Sequence, residues 1–156
     1  MFSFFLPDMN KQQKELLWTP MENIAKKSEY IETREYCCED GDLRYAGVHL
    51  LIELWTEHFL NDSNRIREII IKAINTCGAT MLGIDLHEFT PNGGISGVAI
   101  LQESHLSIHT WPEYNYAAID LFVCGTIDPH LAIPVLEAEF MPDKVEVQEI
   151  KRGIFP

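Results

Sequence analysis

The sequence predicts an α+β protein, a two-layer sandwich in which helices pack on one face of an antiparallel β-sheet. Segments with alternating apolar residues are typical of strands, and together with two helical segments they give the order β-α-β-β-β-β-α-β. The middle strands are joined by short connections, which favours hairpins because a parallel crossover needs a dozen or more residues. The 156 residues contain no internal repeat and form one core-bearing domain.

The first strand is predicted to begin near Gly47. Apolar residues alternate from Val48 to Leu54, as expected for a strand with one face in the core. A helix follows, capped by Asp62 or Ser63, and it ends where Gly78 occupies the usual position of a C-cap glycine. Its apolar stripe consists of Ile66, Ile69, Ile70, Ala73, Ile74 and Cys77.

The rest of the chain supplies the other strands and one helix. Strands are predicted over residues 79–89, 95–102, 105–111, 116–123 and 144–151, and residues 91–94 (Pro-Asn-Gly-Gly) form a turn. Asp128-Pro129 is a reasonable helix start, but Pro134 falls inside the apolar pattern, so either the helix begins there, with Pro134 in its first turn, or it is kinked. Residues 1–46 are polar and irregular, so we interpret them as an N-terminal extension with a short helix over residues 11–17, and residues 47–156 as the functional domain.

Composition excludes several classes of protein. Asp and Glu total 24 against 12 Lys and Arg, a net charge of −12, which argues against nucleic-acid binding and suits a cationic ligand. No apolar run approaches the roughly 20 residues of a membrane span, and the apolar residues 1–7 lack the basic flank of a signal peptide. The four cysteines have no C-x-x-C spacing, so we expect a reduced, cytoplasmic protein that binds no metal.

The segment from Glu103 to Gly125 carries an unusual number of reactive side chains for predicted buried strands. It begins Glu-Ser-His-Leu-Ser-Ile-His-Thr-Trp-Pro-Glu and ends Val-Cys-Gly. Polar groups in such a place cost free energy unless they are hydrogen-bonded or used in chemistry. On residue type alone, Ser104 is a turn serine, His109 a half-buried strand histidine and Cys124 a small core residue.

This pattern resembles the processing and active-site region of the small prokaryotic S-adenosylmethionine decarboxylases. The resemblance implies that the chain cuts itself at the Glu103-Ser104 bond and converts Ser104 into a pyruvoyl cofactor. It assigns Ser96 to stabilising the oxyanion of the acyl shift and His109 to the following elimination. It also assigns Cys124 to protonating the substrate carbon, a task that suits a thiol with a reference pKa of about 8.5.

The same resemblance implies the substrate and its binding residues. S-adenosylmethionine would form a Schiff base with the pyruvoyl carbonyl and lose carbon dioxide, which supplies the aminopropyl donor for polyamine (spermidine) synthesis. Glu113 matches a carboxylate that binds the ribose hydroxyls, and Phe89 lies near the position of an aromatic residue that stacks on adenine. A homodimer of cleaved protomers, with active sites between them, is also implied.

Three other functions are compatible with the residues. The same pyruvoyl chemistry on arginine or ornithine differs only in substrate. A thiol hydrolase would use Cys124, His109 and Asp120, and it would remain one intact chain. A metal-binding protein would use His87, His105 and His109, although their spacing matches no standard ligand pattern.

Overall fold

The computed structural model describes residues 37–156. The elements are β1 (Cys38–Asp40), β2 (Leu43–Trp55), α1 (Ser63–Cys77), β3 (Met81–Glu88), β4 (Ile95–Leu101), β5 (Ser104–Trp111), β6 (Tyr116–Val123), α2 (Ile133–Phe140) and β7 (Lys144–Ile154). Short 3-10 turns (Pro112–Tyr114 and Pro129–Ala132) precede β6 and α2. The predicted helix over residues 11–17 lies outside the described residues.

Every strand pairing is antiparallel, which confirms the predicted α+β sandwich. The sheet runs β2-β6-β5-β4-β3, and β7 pairs with the free side of β2. The element order differs from the prediction only by the short strand β1, which pairs with the start of β2. The strand that was predicted to begin near Gly47 is β2, and it begins at Leu43. The added residues Leu43, Arg44 and Tyr45 pair with β1.

The two helices lie on one face of the sheet and bury its apolar side chains. All six residues of the predicted α1 stripe are buried. They belong to one core with the alternate residues of the central strands, including Leu50, Leu106 and Ile119, which are at most 2 % exposed. Burial of side chains of this size contributes about 1.5–3 kcal/mol each, so this layer supplies the main stabilisation of the fold.

The helix ends show why these segments are helical. The Asp62 side chain caps α1 by accepting a hydrogen bond of 2.9 Å from the Arg65 N–H. Gly78 ends the helix with a φ of 75°, a left-handed conformation that glycine adopts without steric cost. Pro134 lies in the first turn of α2, where its missing N–H is not needed, so the first of the two predicted alternatives is correct.

The opposite face of the sheet carries the polar and aromatic residues of the same strands. Strand alternation places His49, Ser96, His109 and Asp120 on this face. Within residues 37–156 both helices pack on the other side, and Val98, Ile100 and Ile150 are 38 %, 55 % and 43 % exposed. We call this surface the open face.

His130 joins the α2 end of the molecule to β7. Its ring nitrogens lie 2.8 Å from an oxygen of Asp128 and 2.8 Å from one of Glu149, and only the imidazolium donates to both. Hydrogen bonding to Asp128 is the main cause that raises the pKa of His130, although burial opposes it. The contribution to stability is therefore complete below the ordinary histidine pKa of about 6.5 and is lost as pH rises through the raised value.

We therefore expect His130→Gln to lower the Tm by about 1–4 °C at pH 5.5, a small effect because the three groups are half-exposed. At pH 8.5 the variant and the wild type should melt within 1 °C, roughly the error of a melting curve. Differential scanning calorimetry at both pH values measures this. An equal loss of Tm at the two pH values would show that packing, and not the charge, matters.

Candidate active site

The bond between Glu103 and Ser104 lies in the tight connection between β4 and β5. Ser104 has a φ of 152°, in a region that residues with a side chain rarely adopt. Such a conformation costs about 1–3 kcal/mol and persists only when surrounding contacts impose it. The backbone is therefore strained at the predicted cleavage site.

The carbonyl oxygen of Glu103 is held by two donors from the end of β6. It accepts a hydrogen bond of 3.1 Å from the Cys124 N–H and one of 3.0 Å from the Cys124 thiol. Two donors withdraw electron density from a carbonyl carbon and stabilise negative charge that develops on its oxygen. Ser96, to which the resemblance assigned the oxyanion role, does not contact this carbonyl and is hydrogen-bonded to His109 instead.

The Cys124 thiol is half-buried and stays protonated at neutral pH. Burial is the main cause that raises its pKa, and the nearby Glu103 carboxylate raises it further. The thiol of Cys38, on β1, donates to the carbonyl oxygen of Gly125, the residue after Cys124, at 3.2 Å. All four cysteines are free.

Ser96 and His109 form a second cluster, away from Ser104. They are paired in register on β4 and β5, and the Ser96 hydroxyl lies 2.8 Å from His109 Nδ1. Ser104 and His109 are the first and sixth residues of β5. At about 3.3 Å per residue, the two lie about 16 Å apart along the strand. The structure thus brings Ser96 to His109, and Cys124 to Glu103, but leaves the two clusters at opposite ends of β5.

The two predicted substrate-binding residues lie at the His109 end of the sheet. Phe89 follows β3; its side chain is 49 % exposed and its ring contacts that of His87 at 4.7 Å between centroids. Its backbone closes the predicted Pro-Asn-Gly-Gly turn, accepting from the Gly93 N–H at 2.7 Å. Glu113 lies in the exposed 3-10 turn after β5.

A cavity of about 640 Å³ opens on the open face beside these residues. It is lined by Glu53, Trp55, Trp111, Tyr114, Tyr116, Glu146 and Gln148. The Trp111 and Tyr116 rings stack at 5.3 Å, and Tyr116 donates to the Glu53 carboxylate. Burial, with the Glu53 hydrogen bond, raises the pKa of Tyr116 to about 12. Aromatic walls with carboxylates are suited to binding a cation.

Several contacts in this region were not predicted from the sequence. Ser104 Oγ lies 3.2 Å from Nδ1 of His105, the histidine of the Glu-Ser-His motif. At the centre of the open face, the Ser107 hydroxyl donates to Asp120 at 3.0 Å and His49 Nε2 lies 3.5 Å from the same carboxylate. For the contacts among Ser107, Asp120 and His49, the only sequence signal was the alternation of His49 with core residues.

The residues of the thiol-hydrolase alternative do not come together. Cys124 contacts Glu103, His109 contacts Ser96, and Asp120 contacts Ser107. Over residues 37–156 no group of three His, Cys, Asp or Glu side chains could hold a metal ion. In the same part of the chain, no helix is long and apolar enough to cross a membrane.

The fold and site define an α+β protein with a strained, donor-bound peptide bond before a serine. The family model of S-adenosylmethionine decarboxylase matches residues 48–153. The chain is 44 % identical over 115 residues to the S-adenosylmethionine decarboxylase proenzyme of Methanococcus maripaludis strain C5, covering 72 % of this chain and 93 % of that one. The proenzyme of the same name from Thermomicrobium roseum is 42 % identical over 113 residues, covering 72 % and 97 %.

A solved structure agrees with these relatives. The crystal structure of the adenosylmethionine decarboxylase from Aquifex aeolicus superimposes with a TM-score of 0.63 at 30 % identity, covering 70 % of this chain and 92 % of that one. The chain therefore belongs to the S-adenosylmethionine decarboxylase family.

Proposed function

We propose that this chain is a self-processing decarboxylase that removes the carboxylate of S-adenosylmethionine with a pyruvoyl group derived from Ser104. The observation that carries the proposal is the Glu103-Ser104 peptide: the serine is strained and both donors of Cys124 bind the preceding carbonyl. The relatives named above are S-adenosylmethionine decarboxylase proenzymes, a name that implies maturation from a precursor. The decarboxylated product is an aminopropyl donor for spermidine synthesis.

Maturation begins with an attack of Ser104 Oγ on the Glu103 carbonyl carbon. The carbon–nitrogen bond breaks, which leaves an ester between Glu103 and Ser104 and a free amine on Ser104. Relief of the strain at Ser104 favours this shift, and the Cys124 donors stabilise the oxyanion on the way. A base then removes the Ser104 α-proton, and the ester breaks by β-elimination. The leaving group is the new backbone α-carboxylate of Glu103, not its side chain. The dehydroalanine hydrolyses to a pyruvoyl group with loss of ammonia.

His109 is the base that the family pattern assigns, and within one chain it is about 16 Å from Ser104 along β5. A homodimer in which the open faces of two copies meet removes this difficulty. A two-fold axis that lies between the faces and crosses the strands reverses β5, and it sets the Ser104 end of β5 in one copy opposite the His109 end in the other. Each dimer then contains two complete sites, and Ser96 enters each site together with His109, its hydrogen-bond partner.

The open face has the character of such an interface. It carries exposed apolar residues on three strands: Val98 and Ile100 lie on β4, Trp111 on β5 and Ile150 on β7. A monomer that leaves such a patch in water loses the free energy of burying it, at about 25 cal/mol per Å². Association of two copies buries the patch and encloses the substrate in one step.

In the assembled site the pyruvoyl group would supply an electron sink for the carbanion that remains when carbon dioxide leaves. Cys124 holds a proton at neutral pH because of its raised pKa, so its thiol can deliver that proton to the substrate carbon. Glu113 accepts the two hydroxyls of a ribose, and Phe89 offers an exposed ring for adenine. The acidic, aromatic open face favours a sulfonium cation. Cytoplasmic reducing conditions keep Cys124 a thiol.

The alternatives have less support. Arginine and ornithine have neither a ribose nor an adenine, so they would leave Glu113 and Phe89 without a role, and the relatives above are named for a different substrate. A thiol hydrolase needs Cys124, His109 and Asp120 in one cluster, which these strands do not provide.

We expect the purified protein to consist of two fragments, residues 1–103 and 104–156, with the second blocked at its N-terminus by pyruvate. Intact-mass spectrometry after denaturation measures both fragments. Ser104→Ala should give a single uncut chain, because no oxygen nucleophile remains. A wild-type chain that stays at full length after long incubation would contradict the proposed self-processing.

We expect Ser104→Ala and His109→Ala to complement each other. Each variant alone should stay uncut or be cut at least tenfold more slowly, roughly the loss expected for a missing base or nucleophile. In the mixed dimer, one site combines the Ser104 of the His109→Ala chain with the intact His109 of the other chain. Co-expression with distinct affinity tags should therefore produce cleavage of the His109→Ala chain only.

Co-expression of Ser104→Ala with a second Ser104→Ala chain is the control and should give no cleavage. If the His109→Ala chain stays uncut in purified mixed dimers, His109 does not act between protomers.

We expect S-adenosylmethionine to release labelled carbon dioxide faster than arginine or ornithine at equal concentration. Glu113→Gln should lower kcat/KM by about 10- to 100-fold, because a hydrogen bond to a charged group contributes about 1.5–3 kcal/mol. Self-cleavage of this variant should be unchanged. Glu137→Gln, an exposed carboxylate on α2, is the matched control. Faster release from a diamino acid would transfer the assignment to the alternative substrates.

A further inference from the structure

The carboxylate of Glu103 is buried, with the residue only 7 % exposed. A carboxylate in such a place costs free energy unless it is bound by donors. Glu103 Oε2 accepts a hydrogen bond of 2.9 Å from the backbone N–H of Thr80. In the proposed function only the carbonyl of Glu103 takes part in the reaction, so its side chain needs a separate explanation.

Thr80 holds the β4–β5 connection through both of its backbone groups. Its N–H donates to the Glu103 carboxylate, and its carbonyl accepts a hydrogen bond of 2.9 Å from the N–H of Gln102. Thr80 lies just after Gly78, the left-handed residue that ends α1, and Ala79 is tied back to Ile74 by a hydrogen bond of 3.2 Å. The connection is thus anchored to the C-terminal end of α1.

Glu103 is also held from its other side. Its carbonyl oxygen accepts from the N–H and the thiol of Cys124, at the end of β6. The side chain and the carbonyl of one residue are therefore bound to two different elements, and the next residue is the strained Ser104. With Glu103 held at both points, the peptide cannot rotate to relieve that strain.

We propose that the Glu103 side chain is a positioning residue for self-cleavage: its hydrogen bond to the Thr80 N–H fixes the carbonyl that Ser104 attacks. This inference rests on the proposed self-processing. On this proposal, self-cleavage requires an oxygen acceptor on the side chain of residue 103 and does not require its negative charge. Glutamine keeps an acceptor of the same reach, whereas alanine removes it.

The test measures cleavage rates in cell-free synthesis, by a pulse label followed over time on denaturing gels. Glu103→Ala should slow cleavage by about 10- to 100-fold, whereas Glu103→Gln should stay within about threefold of the wild type, because it can still accept from Thr80. Glu88→Ala, which removes an exposed carboxylate from the end of β3, is the matched control and should cleave at the wild-type rate. A purely structural role would lower the Tm of the alanine variant without the selective rescue by glutamine.

A second pair of variants keeps the test valid if Glu103→Ala folds poorly. Thr80→Pro removes the donor, since proline has no N–H, and it should slow cleavage to a similar extent. Thr80→Ala keeps the backbone N–H and is the matched control, so it should cleave within about threefold of the wild-type rate.

Two outcomes would overturn the inference while the wild type still cleaves. One is cleavage of Glu103→Ala at the wild-type rate, and the other is an equal slowing of the alanine and glutamine variants. A wild type that does not cleave would instead remove the proposed function, and the inference with it.

Discussion

The antiparallel pairing of β5 with both β4 and β6 determines where every reactive group lies. A central strand hydrogen-bonded on both sides stays extended, so Ser104 and His109 remain five residues apart along it. The same pairing aligns Ser96 with His109 and brings the end of β6, with Cys124, next to the Glu103 carbonyl. The reactive residues therefore form two clusters about 16 Å apart along β5, and the proposed homodimer would combine them.

In the proposed function, the open face would be the surface on which one small domain binds a large substrate. Both helices cover the other side of the sheet, so the open face is available both for association and for binding. Its carboxylates are tolerated because neighbouring hydroxyls donate to them, Tyr116 to Glu53 and Ser107 to Asp120. Two such faces brought together place acid near acid, and a cation held between them reduces that repulsion. The net charge of −12 is consistent with this preference.

The fold was largely predictable from the sequence because its periodicities are simple. The α1 stripe, the Gly78 cap and the strand over residues 116–123 agree with the structure, since apolar spacing and one glycine determine them. The short strand β1 was missed because its three residues, Cys38–Asp40, have no apolar alternation. The predicted N-terminal extension over residues 1–46 and its helix stay predictions. Of these residues the structure describes 37–46, which contain β1 and the start of β2.

The candidate site was only partly predictable, because sequence spacing does not give distance. Ser104, His109 and Cys124 were identified as reactive residues, yet a spacing of five along a chain is close in a helix and about 16 Å in a strand. The hydrogen bond from Thr80 to the Glu103 side chain was also not predictable, because its donor is a backbone N–H, which every residue except proline provides. Cys124 shows why such contacts matter. In the precursor its thiol donates to the Glu103 carbonyl, and in the proposed maturation that carbonyl becomes a carboxylate. A new negative charge beside a thiol favours the protonated form, so cleavage itself would prepare Cys124 to donate its proton during turnover.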